Sequence, residues 1–187
     1  MERFVVGEVV TGSAYESGRA AARARLASTA GLRRLDLGGD LVLVFHTRDT
    51  VRAALQELLR ADRVTDGERI AAESAAFAEL LGGDHDLVAT LHVDVSDPVA
   101  LADRIAELLG IGDAVWLEVG GDRVAAVTDP GDGVSGAFHL RFPLGAEHRA
   151  ILIEEAEATV TVDHPTFRAN VTLSVEQVRA IAADLQR

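Results

Sequence analysis

The sequence predicts an α+β fold: a mostly antiparallel sheet of six or seven strands with about five helices, mainly on one face. Three observations carry this. Short segments with period-two hydrophobicity alternate with longer ones of helical period, so neither an all-α nor an all-β chain fits. Strands after Ala114 are joined by turns too short for a crossover, which makes that part antiparallel. Several helix starts are marked: Thr65-x-x-Glu68 and Ser174-x-x-Gln177 have capping-box spacing, and Ser96-Asp97-Pro98 puts proline where a helix tolerates it. The 187 residues show no internal repeat and no low-complexity linker, and read as a single domain, 1–187.

In chain order, Ser13 to about Thr29 is rich in Ala and Arg and is expected to be helical. Leu37–Asp40 (LGGD) is a turn. Leu41–His46 is an apolar run of strand length, apolar on both faces as an interior strand is. Asp49 is placed to cap a helix reaching about Arg63, and Thr65 opens another that ends before Gly82-Gly83. Leu87–Val95 alternates cleanly and is a strand. The helix from Pro98 ends near Gly110. Ala114–Val119 and Arg123–Val127 flank Gly120-Gly121-Asp122, a hairpin signal. Asp129–Gly136 (DPGDGVSG) is a turn-rich loop, Ala137–Phe142 a strand, and Ala146–Ile153 a short helix. Thr159–Val162 and Phe167–Leu173 form a terminal strand pair around Asp163-His164-Pro165, and Ser174 caps a last helix.

Composition narrows the function. Hydrophobic residues make up 48% of the chain, which excludes disorder as the main state, and aromatics only 4%, so the core is aliphatic. A net charge of -12 argues against nucleic-acid binding, which needs clustered Lys and Arg. Arg19, Arg23, Arg25, Arg33 and Arg34 read as a solvated helix face, not a phosphate stripe. The absence of Cys excludes disulfides, thiol catalysis and iron–sulfur ligation. Glu2 and Arg3 precede only Phe4-Val5-Val6, so no signal peptide is visible, and no apolar stretch reaches the ~18 residues of a membrane helix. A cytoplasmic protein is expected.

Polar residues on strand faces locate the chemistry. On Leu87–Val95, Val88, Thr90, His92 and Asp94 share one face; on Ala137–Pro143, so do Ala137, His139 and Arg141. His46 falls with Val42 and Val44. Among the helices, Glu73 falls inside the stripe Ile70, Phe77, Leu80, Leu81, and Asp62 inside the stripe Val51, Ala54, Leu55, Leu58, Leu59. Both carboxylates are therefore expected to point inward, where each needs a cation, a metal or strong donors. His92 and Asp94 stand roughly 6.6 Å apart along a strand at ~3.3 Å per residue, so both reach one ion. With His139 they make a two-histidine, one-carboxylate set that suits Fe(II) or Mn(II), with Zn as a further option. His46 and Glu73 are additional candidate ligands, Arg141 a candidate anchor for an anionic substrate, and Asp62 a support behind the ligands. The competing reading is a wet sheet face on which His92 and Asp94 pair with Arg141 or with each other.

Other motifs are weaker. Gly82–Asp86 (GGDHD) reads as a polar connection and DPGDGVSG as a loop, lacking the Lys-Ser/Thr of a phosphate loop. Asp163-His164-Pro165 reads as a turn with Asp163 accepting backbone hydrogen bonds. There is no Gly-x-Ser-x-Gly and no convincing triad.

The ordered segments LDLGGDLVLVFHTRDT, LQELLRADRV, ATLHVDV, FHLRFPL and VDHPTFRA resemble a bacterial family of unknown function, domain-of-unknown-function family 3501. The resemblance runs from about Tyr15 to Leu185. Members are often encoded beside rubrerythrin-like and iron–sulfur oxidoreductase-like proteins, so it implies redox or oxidative-stress chemistry and a redox partner protein. The family has an acid where this chain has His46, an apolar residue at His92 and an aromatic at His139. It has acids at Asp62, Glu73 and Asp94 and an arginine at Arg141, and its Tyr-Asn pair is Phe77-Ala78 here. The three histidines thus mark this branch. Either it built a His-rich metal site on a carboxylate-lined pocket, or it lost the older chemistry and kept a binding pocket.

The resulting expectation is a metal-dependent oxidoreductase of the non-haem Fe/Mn type acting on a small polar molecule. The alternatives are a non-catalytic ligand- or metal-binding accessory protein for a redox partner, and a metal-free His/Asp acid–base enzyme. A two-fold homodimer through a sheet edge or helix face is the simplest assembly for such a domain.

Overall fold

The computed structural model describes residue 4 and residues 8–81, 83, 86–128, 133, 135–154 and 157–186. The fold is α+β as expected. Among the described residues there are six α-helices and eight strands, all paired antiparallel. The strands divide into two four-stranded sheets instead of forming one. The chain makes two compact units, Met1–Gly31 with His46–Gly82, and Leu32–Phe45 with Gly83–Arg187. No helix among the described residues is long and apolar enough to cross a membrane.

The first unit holds α1 (Gly12–Ala30), α2 (Arg48–Ala61) and α3 (Gly67–Glu79). Helix α2 is capped by Thr47, not Asp49: Thr50 N donates to Thr47 Oγ1 at 3.0 Å and Thr47 N to Thr50 Oγ1 at 2.8 Å. The reciprocal pair satisfies two backbone donors at once, which a lone carboxylate two residues later does not. Asp49 lies instead in the first turn, beside Arg52 at 2.6 Å. Helix α3 is capped by Asp66, one residue after the expected Thr65. Val51, Leu55 and Leu59 of α2 form the unit's core with Phe4, Val64 and Leu81.

Helix α1 has little apolar surface to offer, and Tyr15 is its only buried residue. Polar contacts hold it to α2. Glu57 accepts from Arg19 Nε at 2.6 Å, from Arg19 Nη2 at 2.9 Å and from Tyr15 Oη at 2.8 Å. These donors favour the charged carboxylate and push its pKa down to about 2 from an ordinary 4.5, with the Arg19 bond the largest cause. Because the folded value lies below the unfolded one, this contribution is complete above about pH 4.5 and is lost as the pH falls towards 2. Acid titration followed by far-UV circular dichroism is expected to show helix loss in that window. Glu57→Gln is expected to flatten it; an unchanged acid profile would mean that α1 is held some other way.

The second unit begins with β1 (Arg34–Gly38), β2 (Leu41–Phe45), β3 (Asp86–Val93) and α4 (Pro98–Glu107). A 3-10 turn at Ile111–Ala114 leads into β4 (Val115–Val119) and β5 (Asp122–Ala125). Then come β6 (Ala137–Pro143), α5 (Ala146–Ile153), β7 (Ala158–His164), β8 (Phe167–Thr172) and α6 (Val175–Ala182). One sheet has the order β1-β2-β3-β6, the other β5-β4-β7-β8. Two sheets form because β6 returns to β3 instead of continuing from β5. Beyond the hairpin, Val127 and Arg141 make an isolated antiparallel bridge, with N–H···O distances of 2.8 and 3.0 Å. The inner faces, Leu41, Leu43, Leu91 and Phe142 on one sheet and Val115, Leu117 and Val160 on the other, share one core with Leu152 of α5 and Ile181 of α6. Ser174 caps α6 through the expected box with Gln177.

Asp163 and His164 end β7, and Pro165-Thr166 make the turn. Asp163 accepts from the Arg168 side chain at 2.9 Å, not from the backbone, because alternation carries it out to the strand facing it. His164 points the other way and is 7% exposed. Its Nε2 donates to Leu109 O at 3.1 Å, since a carbonyl only accepts, and its Nδ1 lies 2.9 Å from Thr166 Oγ1. It fixes the end of α4 to the β7–β8 turn.

Candidate functional site

The outward face of the first sheet carries the candidate chemistry. The β3–β6 ladder runs without a bulge from Asp86 to His92, pairing Thr90 with His139 and His92 with Ala137. His92 and His139 are therefore diagonal neighbours on one face, at a strand spacing of about 7–8 Å. On β2, Val42 lies opposite His92 and Val44 opposite Thr90; on β1, Arg34 lies opposite Val44. The row across the sheet is thus Arg34, Val44, Thr90, His139, with His92 one step along β3. Small aliphatic side chains on β2 separate the arginine from the imidazoles.

Thr90 is only 2% exposed, and its hydroxyl lies 3.1 Å from His139 Nδ1. That contact orients the ring. His92 has its pKa held below the ordinary 6.5, first by burial, then by the neighbouring His139 and Arg34, against an opposing pull from Asp94. At neutral pH it is the unprotonated imidazole, the form that ligates a metal or accepts a proton. A lowered folded pKa also means that acidification charges the unfolded chain first. Stability is complete above pH 6.5 and declines as the pH falls through the folded value.

Asp94 lies just past the end of β3 and is exposed. Its N–H donates to Asp40 O at 2.7 Å, and its Oδ2 is 3.3 Å from Arg34 Nη2. Asp94 thus pairs with Arg34 and not with Arg141, while its charge still bears on His92. Arg141 Nη1 lies 3.6 Å from Asp86 Oδ2, which also accepts from Gly83 N at 2.7 Å.

His46, Asp62 and Glu73 belong to the first unit. Strand β2 ends at Phe45, so His46 stands beyond the alternation that placed it with Val42 and Val44. It is half-buried. The expectation that Asp62 points inward is corrected: it follows the last helical residue, Ala61, where helical phase no longer applies, and it is exposed. Glu73 is partly exposed rather than enclosed, and both carboxylates face Arg69, at 3.3 Å from Asp62 and 3.9 Å from Glu73. Among the described residues, no three His, Asp or Glu side chains stand close enough to hold a metal ion. Of GGDHD, residues 82, 84 and 85 lie outside the described residues; of DPGDGVSG, so do 129–132 and 134.

Sequence reasoning missed two residues of this face. Thr90 was visible on it by parity, but a threonine among valines gives no chemical signal. Arg34 was hidden because it reads as part of a solvated arginine-rich helix face, whereas it opens β1. The alternation of Leu35 and Leu37, both buried between exposed neighbours, is the signal that would have placed it.

These features define an α+β protein whose two antiparallel sheets present a histidine pair on one outer face. The chain belongs to the family described as protein of unknown function (DUF3501), whose model matches residues 5–185. It is similar to a crystal structure of a novel protein of unknown function from Burkholderia pseudomallei K96243, with a TM-score of 0.90 and 26% identity over 98% of this chain and 99% of that one. No curated protein matches it.

Proposed function

We propose that the protein is a metal-dependent enzyme, an oxidoreductase of the non-haem Fe(II) or Mn(II) type, acting on a small polar molecule at the face that carries His92 and His139. The observation that supports it is the pair itself: two imidazoles on adjacent strands, one oriented by Thr90 and the other kept unprotonated. Unprotonated imidazole nitrogen is a good donor for first-row divalent ions. Asp94 is the third ligand in this reading. It is exposed, and among the described residues its Oδ2 lies 3.3 Å from Arg34 Nη2, a contact it would give up to reach an ion. His92, His139 and Asp94 would hold such an ion, which would supply Lewis-acid or redox chemistry to a substrate. Arg141, on the same face of β6 as His139, orients an anionic group. The reading needs only residues of the second unit, and a redox partner protein is its natural electron source.

Elemental analysis tests it, on protein purified without an affinity tag or chelator. About one equivalent of iron, manganese or zinc is expected, with affinity falling on the order of a hundredfold in His92→Ala and in His139→Ala. If the wild type holds no metal and takes up none on anaerobic addition of Fe(II), the metalloenzyme reading is wrong. Bound metal without turnover makes the protein a carrier or accessory subunit.

A second reading has its own support. The Thr90 contact orients the ring of His139 diagonally beside His92, and Asp94 is already engaged by Arg34. Metal-free acid–base catalysis by the two imidazoles follows. Turnover that survives exhaustive chelation distinguishes it.

A further inference from the structure

The first unit holds a cavity of about 250 Å³ between α1 and α2. Polar contacts fix the two helices to each other: Tyr15 and Arg19 to Glu57, and Glu16 to Arg60. Past these contacts the walls are Ala22 and Leu26 of α1 and Ala53 and Ala54 of α2, side chains too small to close the gap. The polar groups of the lining are nearly all engaged. Gln56 Nε2 donates to Val10 O at 2.9 Å, and Glu57 accepts from Arg19 and from Tyr15. Arg23 is the exception. It lines the cavity, is exposed, and among the described residues makes no hydrogen bond and no ion pair. Arg19 and Arg23 together set two positive charges against the one carboxylate of Glu57, while Glu16 and Arg60 cancel. In a chain of net charge -12 this is a locally positive place.

We propose that the α1–α2 cavity binds a small amphiphilic carboxylate, its alkyl chain along Ala22, Leu26 and Ala53 and its head on Arg23. The volume sets the size: at roughly 30 Å³ for each water-sized group it has room for about eight, a short alkyl chain with its carboxylate at the rim. The walls set the body, since an apolar chain gains by leaving water there. Charge sets the head. A guanidinium takes a carboxylate through two parallel N–H···O bonds, and Arg23 has both to give. A cationic head would have to compete with Arg19 and Tyr15 for Glu57. The occupant also supplies α1 with apolar contact that its own sequence lacks, because Tyr15 is the one buried residue of that helix. This site is separate from the histidine face and needs no metal.

Tyr15 is the only tyrosine, so its ring resonances report on the cavity without ambiguity. Sodium octanoate is titrated into the full-length protein while they are followed by NMR. A saturable shift is expected, with a Kd of about 1 mM or tighter. Acetate, which has the head without the chain, is expected to bind at least about tenfold more weakly. Arg23→Gln is expected to weaken octanoate about fivefold, the size of an exposed ion pair. Ala53→Leu fills the gap and is expected to abolish binding. Should that variant lose helix by far-UV circular dichroism, Ala54→Leu fills it from the more exposed wall. An absent shift, a shift unchanged in Arg23→Gln or in the cavity-filling variant, or acetate binding as well as octanoate overturns the proposal. So does a Tyr15 shift that follows protein concentration and not octanoate, which would show that a second copy of the chain covers the gap.

Discussion

Phe142→Ala is expected to cost the second unit about 3–5 kcal/mol of stability. Phe142 lies on β6 with 0% exposure, and its ring centroid is 6.3 Å from that of Phe45 at a tilt of 39°. The chain has only six Phe, one Tyr and one Trp, so its core is mainly aliphatic and has few bulky neighbours to refill the space. A cavity there removes both the transfer free energy of the ring and the contacts of its lining. Trp116 reports the result directly. It is the only tryptophan and lies on β4 of the same unit. Urea unfolding followed by its fluorescence is expected to show a lower midpoint at unchanged slope. Phe142→Leu is expected to lose only about 1 kcal/mol, because most of the volume stays. A loss under about 1 kcal/mol for the alanine variant would show that the two sheets do not share a packed core.

Much of this fold is legible locally. Ala146–Ile153 is a helix with the bounds that its sequence suggests, and the Gly120-Gly121 hairpin and the Ser174 box form as expected. These depend on a few adjacent residues, where turn chemistry and capping act. The division into two sheets is not local. It turns on β6 choosing β3, 51 positions back in the register Ala89–Leu140, over the nearer β5. Alternation says which residues of a strand face inward. It does not say against which other strand.

The same boundary runs through the site. Parity placed His92, His139 and Arg141 on one face because the ladder has no bulge there. Parity failed where elements end: Asp62 and His46 each lie one residue beyond the helix or strand whose phase was applied to them. Ion-pair partners are beyond such reasoning altogether. Arg34 meets Asp94 sixty positions away, and Arg141 meets Asp86 across the sheet.

The clearest case is Arg33, which reads as one of a run of solvated arginines and is only 9% exposed. Its Nη1 and Nη2 donate to Asp184 at 2.7 and 3.2 Å, and Nη2 also donates to Ala180 O at 2.6 Å. It thereby ties the segment leading into β1 to α6, which also sends Gln177 Nε2 to Arg34 O at 3.1 Å. Asp184→Ala is expected to cost about 3 kcal/mol, because it leaves a desolvated guanidinium with no counter-charge. Taking both charges away is a different matter. In Arg33→Met with Asp184→Leu, the desolvation penalty disappears together with the attraction, and apolar packing takes its place. The double variant is therefore expected to be more stable than Asp184→Ala alone, by about 1–3 kcal/mol in the same urea assay. If it is instead the least stable of the set, the pair is a net source of stability in its own right, and α6 is held to β1 by electrostatics more than by the burial of Val178 and Ile181.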